Sequence, residues 1–142
     1  EDVDCAGKVV LRRDAQGGAN DGGGSGAMED ALAAQLAGAQ PGLNMVSSFD
    51  AAFLAALQTT LPAMPRALIS EELPEDWQEL AARLGLEALH LDKDIVTPGI
   101  VEAIHNAGLW VRVWTVNELG DMKRMIDAGV DTVITDVPEA FL

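Results

Sequence analysis

Short apolar runs separated by amphipathic stretches make up the chain from residue 45 onward. Five runs have the β-rich, apolar composition of buried parallel strands: 45–48, 66–69, 88–91, 111–114 and 132–135. Gly85, Gly108 and Gly129 precede the last three runs at nearly equal spacing, and each is placed to end a helix in the left-handed conformation. The pattern predicts strands and helices in alternation, and therefore a parallel sheet with right-handed crossovers.

The stretches between the runs carry the signals with which helices begin. Asp50 is predicted to cap the helix that follows it, and Thr97 is predicted to cap a helix whose first residue is Pro98. Asn117 is predicted to cap a helix over 118–127. The apolar residues expected to face the core from these helices are Phe53, Leu54 and Leu57, then Trp77, Leu80 and Leu84, then Leu119, Met122 and Ile126.

Two architectures fit this alternation, an open doubly wound sheet and a (β/α)8 barrel. No glycine-rich phosphate fingerprint follows any of the runs, whereas units of uniform length with polar residues after every strand favour the barrel. A complete barrel needs roughly 250 residues, and this chain has 142. We therefore predict an α/β fold that is a partial or truncated TIM barrel, with parallel strands alternating with helices.

The chain is predicted to form a single domain over 1–142, with a front part (1–44) unlike the regular βα units of 45–142. The front part contains a predicted strand at 8–11, a Gly-rich linker at 16–26 and an Ala-rich helix at 29–39.

The net charge of the chain limits the classes of partner that it is expected to bind. Nine basic residues against 23 acidic ones give a net charge of −14, which disfavours nucleic acid and anionic lipid as partners. An acidic protein that handles a phosphodiester needs a local positive centre such as a metal ion. No apolar run approaches the roughly 20 residues that span a bilayer. The single Cys5 has no internal disulfide partner, and the compartment, cytoplasmic or exported, stays open.

Polar and aromatic side chains follow every predicted strand, and active sites of such folds lie at these carboxyl ends. The residues concerned are Ser47, Ser48, Phe49 and Asp50, Ser70 and Glu71, Asp92, Lys93 and Asp94, Trp114, Thr115 and Asn117, and Thr135 and Asp136. Each has a structural alternative, since caps, solvated loop carboxylates and core aromatics are common. His90 is expected to be a core histidine within a strand, and His105 lies near a helix end, neither with an evident partner in the sequence.

Four of these segments together resemble a known family. They are VSSFD at 46–50, HLD at 90–92, VRVWTVN at 111–117 and ITDVP at 134–138. In order and spacing they are similar to the late-strand motifs of the glycerophosphodiester phosphodiesterases, over about residues 45 to 142.

The resemblance implies a TIM barrel and a reaction in lipid metabolism. Members of that family are metal-dependent hydrolases that use Ca²⁺ or Mg²⁺ and a pair of histidines to cleave glycerophosphodiesters to glycerol 3-phosphate and an alcohol. It places Phe49 and Trp114 against the glycerol part of the substrate, with Ser47 and Asn117 nearby.

In that family the early strands carry the metal ligands and the acid–base groups. The front part of this chain departs from that pattern. Glu1 and Asp4 are similar to the Glu-x-Asp metal pair. GKVVLRRD at 7–14 resembles the stretch that ends in His-Asp, with Arg13 at the position of the catalytic histidine. Because arginine stays protonated, it cannot act as a general acid or base near neutral pH. The His-Arg strand and the Glu-x-Lys strand have no counterpart, so no residue is assigned a catalytic role.

Three functions follow from this comparison. The first is a metal-dependent phosphodiesterase, for which efficient turnover is not expected without the acid–base groups. The second is a non-catalytic remnant or ligand-binding module of the same fold. The third is an assembly unit in which half-barrels pair as a homo-oligomer through exposed strand edges.

Overall fold

The computed structural model describes residues 44–141, together with the backbone of two earlier strands. The strands are β1 (Asp2–Val3), β2 (Val9–Arg13), β3 (Asn44–Ser48), β4 (Arg66–Ser70), β5 (Ala88–Asp92), β6 (Trp110–Trp114) and β7 (Thr132–Val133). The helices are α1 (Ala51–Thr60), α2 (Trp77–Leu84), α3 (Pro98–Asn106) and α4 (Leu119–Ala128), followed by a 3-10 turn, Pro138–Phe141. The predicted linker 16–26 and helix 29–39 lie outside the described residues.

One sheet of seven strands runs in sequence order from β1 to β7. The strands from β2 to β7 are parallel to their neighbours, and β1 is antiparallel to β2. From β3 to β7 the five predicted strands alternate with the four helices and curl into half of a barrel. The prediction of a partial TIM barrel is therefore confirmed. Strand β2 ends at Arg13, two residues beyond the carboxyl end of the strand predicted at 8–11.

Alternate residues of the strands face two different environments. Leu68, Leu89 and Val111 pack with the helices in the larger core cluster, and Val46 does so against α1 in a smaller one. The intervening positions face the barrel interior, where Met45, Ala67 and Ala88 form a separate apolar cluster. Polar side chains are also buried on this interior face, namely Ser47, His90 and Arg112.

The predicted helix starts are confirmed for α1 and α3. The Asp50 carboxylate accepts hydrogen bonds from the backbone N–H groups of Ala52 (3.0 Å) and Phe53 (3.1 Å). Thr97 Oγ1 accepts one from Ile100 (3.2 Å), with Pro98 in the first helical turn. Gly85, Gly108 and Gly129 have φ values of 60°, 81° and 86°, as predicted for helix ends.

The prediction for α4 is wrong. The helix begins at Leu119 with Glu118 as its N-cap, and Asn117 caps nothing. On the inward face the predicted Met122 does pack against the core, but Met125 is buried in place of Ile126. Leu119 and Ile126 are 70% and 65% exposed. The reason lies in Asn117, whose amide is held by the segment after β7, as described below.

Arg66 joins two helix ends on the side of the sheet away from the carboxyl ends of the strands. Its guanidinium donates to the backbone carbonyls of Leu61, Pro62, Met64, Leu84 and Gly85. These carbonyls belong to the α1–β4 connection and to the end of α2, where helical carbonyls lack intrahelical partners. Burial lowers the pKa of Arg66, with the charge of Glu87 acting in the opposite direction.

Candidate functional site

An aromatic pair lies at the carboxyl ends of the strands. Phe49 follows β3 and Trp114 ends β6, and their ring centroids are 5.9 Å apart with an interplanar angle of 79°. Edge-to-face packing of this kind is the favoured geometry for two aromatic rings. The Trp114 indole also donates from Nε1 to the backbone carbonyl of His90 at 3.1 Å, which fixes the ring across β5. Both rings are half-buried, so the pair presents apolar surface at the mouth of the half-barrel.

Asn117 connects the segments that follow the last two strands. Its Oδ1 accepts hydrogen bonds from Thr135 Oγ1 and from the Asp136 backbone N–H, both at 3.0 Å. Its Nδ2 donates to Asp136 Oδ2 at 3.2 Å. Because both ends of the amide are used, Asn117 holds the loop after β6 against the loop after β7. The peptide bond between Trp114 and Thr115, just before this loop, is cis.

The charged residues at the end of β5 and directly after it are occupied by local contacts. Asp92 Oδ1 accepts the Asp94 backbone N–H at 2.8 Å. Lys93 Nζ lies 2.6 Å from Asp121 Oδ2 on α4, and Arg124 reaches the other oxygen of Asp121 at 3.2 Å. The hydrogen bond to Asp121 raises the pKa of Lys93, and the hydrogen bonds from Lys93 and Arg124 lower the pKa of Asp121. Lys93 therefore offsets the charge of its acidic neighbours.

The structure brings some of the predicted site residues together and leaves others apart. Phe49 and Trp114 touch, whereas Asn117 belongs to the separate hydrogen-bonded cluster with Thr135 and Asp136. Ser47 is fully buried on the interior face.

Three residues from the front part stand outside this geometry. Arg13 is described by its backbone alone, at the register position beside Ser48. Glu1 and Asp4 lie outside the described residues.

Two features were not anticipated from the sequence. His90 is a core residue as expected, but its register partner Arg112 is also buried on the interior face. His105 does have a partner, since its Nε2 lies 2.7 Å from Asp131 Oδ2, and the same oxygen accepts the Val111 N–H at 2.7 Å. The alternation of β6 places Arg112 on the same face as Trp114, and this alternation could have been read from the sequence. The contact of His105 with Asp131 joins two distant segments, so no local signal predicts it.

The described residues offer no complete metal centre of their own. Within 44–141 and the two front strands, no three His, Cys, Asp or Glu side chains are grouped so that they could hold a metal ion. The Ca²⁺ or Mg²⁺ implied by the resemblance is therefore not accounted for by these residues. Among the same residues, none of the helices has the length and apolar character needed to cross a membrane.

Comparison with known proteins gives a consistent result. The model of the glycerophosphoryl diester phosphodiesterase family matches residues 25–140. A glycerophosphodiester phosphodiesterase of Caldanaerobacter subterraneus is 34% identical over 99 residues, which cover 69% of this chain and 40% of the relative. The chain thus spans about two fifths of the length of the curated relatives it matches.

Solved structures show the same partial coverage. A protein of Silicibacter pomeroyi described as a glycerophosphoryl diester phosphodiesterase superposes with a TM-score of 0.83 and 27% identity, covering 94% of this chain and 48% of that one. A phosphodiesterase of Oleispira antarctica, solved with the product sn-glycerol 3-phosphate, gives a TM-score of 0.72 at 24% identity, covering 82% and 49%. With the family model matching most of its length, this chain belongs to the glycerophosphoryl diester phosphodiesterase family.

Proposed function

We propose that the mouth of the half-barrel binds a glycerophosphodiester, with the glycerol carbons against Phe49 and Trp114 and with Ser47 and Asn117 nearby. The observation that carries the proposal is the contact between the two rings. They come from strands separated by two others, yet they form one half-buried apolar surface at the end of the sheet where ligands of such folds bind. Family membership supports a phosphodiesterase-like function, and the fold is shared with a structure solved with glycerol 3-phosphate.

We expect ligand binding with slow turnover from this chain. Each positioned acid or base contributes roughly 10²–10⁴-fold to such a reaction. Among the described residues, His90 is fully buried in the interior. His105 pairs with Asp131, which also accepts the Val111 N–H near the start of β6, away from the rings. A chain that binds the diester but hydrolyses it several orders of magnitude more slowly than a complete site is the expected result.

The binding test uses a matched pair of tryptophans. Purified chain is titrated with glycerophosphocholine and with sn-glycerol 3-phosphate, with and without Ca²⁺ or Mg²⁺, and binding is followed by calorimetry. Trp114→Ala removes the ring that contacts Phe49 and is expected to weaken binding at least about tenfold. Trp110→Ala removes a 58% exposed tryptophan at the opposite end of the same strand and is the control.

Two outcomes contradict the proposal. Wild-type protein that binds neither ligand, or equal losses in the two tryptophan variants, exclude a site at the ring pair. Release of glycerol 3-phosphate from glycerophosphocholine at a rate typical of enzymes, abolished by chelator, contradicts the expectation of slow turnover.

The proposal includes a divalent cation, Ca²⁺ or Mg²⁺, with Glu1 and Asp4 as its candidate ligands. When bound, such a cation supplies positive charge for the phosphodiester. Calorimetric titration of the metal alone into wild type and into Asp4→Asn tests the assignment. Equal affinity in the two proteins removes Asp4 from the site.

Assembly through the open sheet edge is a second candidate function. In the described part of the chain, β7 pairs with β6 on one side and with no strand on the other. Leu119 and Ile126 also present apolar side chains from α4, at 70% and 65% exposure. Unpaired strand edges favour association, so light scattering is expected to detect a dimer or larger species. A monomer at high concentration counts against it.

A further inference from the structure

A buried arginine lies on the interior face of the sheet, on the same side of β6 as Trp114. Arg112 and Trp114 are two residues apart, so the alternation of a strand directs both to the interior. The register partner of Arg112 is His90, and that of Trp114 is Asp92. Arg112 is 4% exposed and His90 is 0% exposed. The Trp114 indole donates to the His90 carbonyl, so the ring lies over β5, the strand that carries the register partner of Arg112.

The other cations of residues 44–141 lie away from the interior face. They are Arg66, Arg83, Lys93, Lys123 and Arg124. Arg66 binds backbone carbonyls beyond the far end of the sheet. Lys93 and Arg124 share Asp121, and Lys123 pairs with Asp127 on the outside of α4. Arg83 is exposed on α2. Of these six cations, Arg112 is the one on the interior face that leads to the ring pair.

A ligand phosphate at the ring pair needs such a charge. The chain has a net charge of −14, and the mouth carries carboxylates of its own at Asp92 and Asp136. An anion is therefore repelled unless a cation acts on it at short range, where the low dielectric of a buried site strengthens the attraction. The Cα atoms of Arg112 and Trp114 are separated by about 6.6 Å along the strand, a distance that the arginine side chain can span. A planar guanidinium also matches the oxygens of a phosphate in bidentate geometry.

We propose that Arg112 binds the phosphate group of the ligand whose glycerol carbons lie against Phe49 and Trp114. This assignment rests on the proposed function, and it adds the residue that selects an anionic ligand over a neutral one. It makes Arg112 an anion-binding residue in the wall of the half-barrel, supplied by a strand that also carries one of the two rings.

The experiment compares charge-removing and charge-conserving variants with sn-glycerol 3-phosphate as the probe. Arg112→Met keeps an unbranched side chain but removes the charge, and it is expected to lower affinity by about 10- to 100-fold, the usual effect of losing a charge-assisted hydrogen bond. Arg112→Lys keeps the charge without the bidentate geometry, so its loss is expected to be less than about tenfold. Arg83→Met makes the same chemical change on the exposed surface of α2 and is expected to bind as wild type does.

A second measurement uses the wild-type protein and does not depend on any variant folding. The Nε–H resonance of Arg112 in a ¹⁵N spectrum is expected to shift when sn-glycerol 3-phosphate is added and to stay in place when glycerol is added at the same concentration. An unmoved resonance at saturating glycerol 3-phosphate overturns the proposal.

The possible failures are distinguishable from each other. If wild type binds glycerol 3-phosphate, loses affinity on Trp114→Ala and keeps it within about twofold on Arg112→Met, the assignment of Arg112 is wrong and the proposed site stands. If wild type binds no phosphate-containing ligand, the proposed function itself is wrong and the assignment fails with it.

Discussion

Replacing Arg66 is expected to give one of the larger losses of stability that a single substitution can cause in this chain. The residue is 6% exposed and donates to five backbone carbonyls in two separate connections. Arg66→Met retains most of the aliphatic volume and removes every donor at once. The carbonyls that it leaves are enclosed by the α1–β4 connection and by the end of α2, so water cannot replace all of the lost bonds.

The size of the expected stability loss follows from the lengths of the individual hydrogen bonds. Two lie in the usual hydrogen-bonding range, from Nη1 to Met64 O at 3.1 Å and from Nε to Leu84 O at 3.2 Å. The other three are 3.4 Å long and add little. A bond to a charged donor is worth about 1.5–3 kcal/mol net, and the cost of burying the guanidinium, evident in the lowered pKa of Arg66, offsets part of the sum. The free energy of unfolding is therefore expected to fall by about 3 kcal/mol, out of a typical total of about 5–15.

Urea unfolding followed by far-UV circular dichroism measures this difference. Arg83→Met is the control, because Arg83 lies exposed on the helix whose end Arg66 binds, and it is expected to change stability by less than about 0.5 kcal/mol. Arg66→Lys is expected to fall between the two, since an ammonium group cannot reach both connections. A loss of less than about 1 kcal/mol for Arg66→Met would show that the carbonyls find other partners, and would refute the reasoning.

Three further outcomes are expected in the same unfolding assay. Gly85→Ala places a Cβ 2.9 Å from the Arg66 guanidinium at a φ of 60°, so it should lower the free energy of unfolding by about 2 kcal/mol. Gly108→Ala should lower it by about 1 kcal/mol, because φ is 81° there but no atom lies within 4 Å of the added Cβ. Asp131→Ala removes the oxygen that accepts from a strand N–H and a histidine, both at 2.7 Å, and should cost about 1–2 kcal/mol; an unchanged midpoint contradicts this. The Lys93–Asp121 pair stabilises the fold at neutral pH. Because the pKa of Asp121 is lowered and that of Lys93 is raised, the contribution should be lost as pH falls through the folded-state pKa of Asp121 and as it rises through that of Lys93. The stability difference between wild type and Asp121→Asn should be constant between the unfolded-state pKa values of Asp and Lys, and should shrink as the pH moves from these values toward and through the folded-state pKa values.

Most of the βα framework was predictable because its signals are local. Each strand is a short apolar run, and a glycine with positive φ ends the preceding helix at three places. Asp50 and Thr97 cap their helices with their own side chains, so the sequence neighbourhood contains all that is needed. Burial on both faces of the strands explains the continuous apolar runs.

The start of α4 was not predictable from the same signals. Asn117 is a good cap by residue type, but it makes three hydrogen bonds to Thr135 and Asp136, which lie far along the chain. These tertiary bonds outweigh a single capping bond. The helix therefore begins at Leu119, one residue later than predicted. Its core-facing side keeps the predicted Met122 and buries Met125 in place of Ile126. Arg112 was overlooked because a charged residue in a strand is usually exposed, although the alternation of β6 places it on the interior face together with Trp114.

The ring pair also distinguishes the predicted barrel from a flat sheet. Phe49 follows β3 and Trp114 ends β6, with β4 and β5 between them. In a flat sheet the two strands would be about 14 Å apart, three spacings of about 4.8 Å, whereas the ring centroids are separated by 5.9 Å. Side chains from these strands meet because the sheet is concave toward them. The candidate site is therefore a consequence of sheet curvature as much as of residue type, and a substitution that changes the curl of β4 or β5 is expected to separate the rings without altering either one.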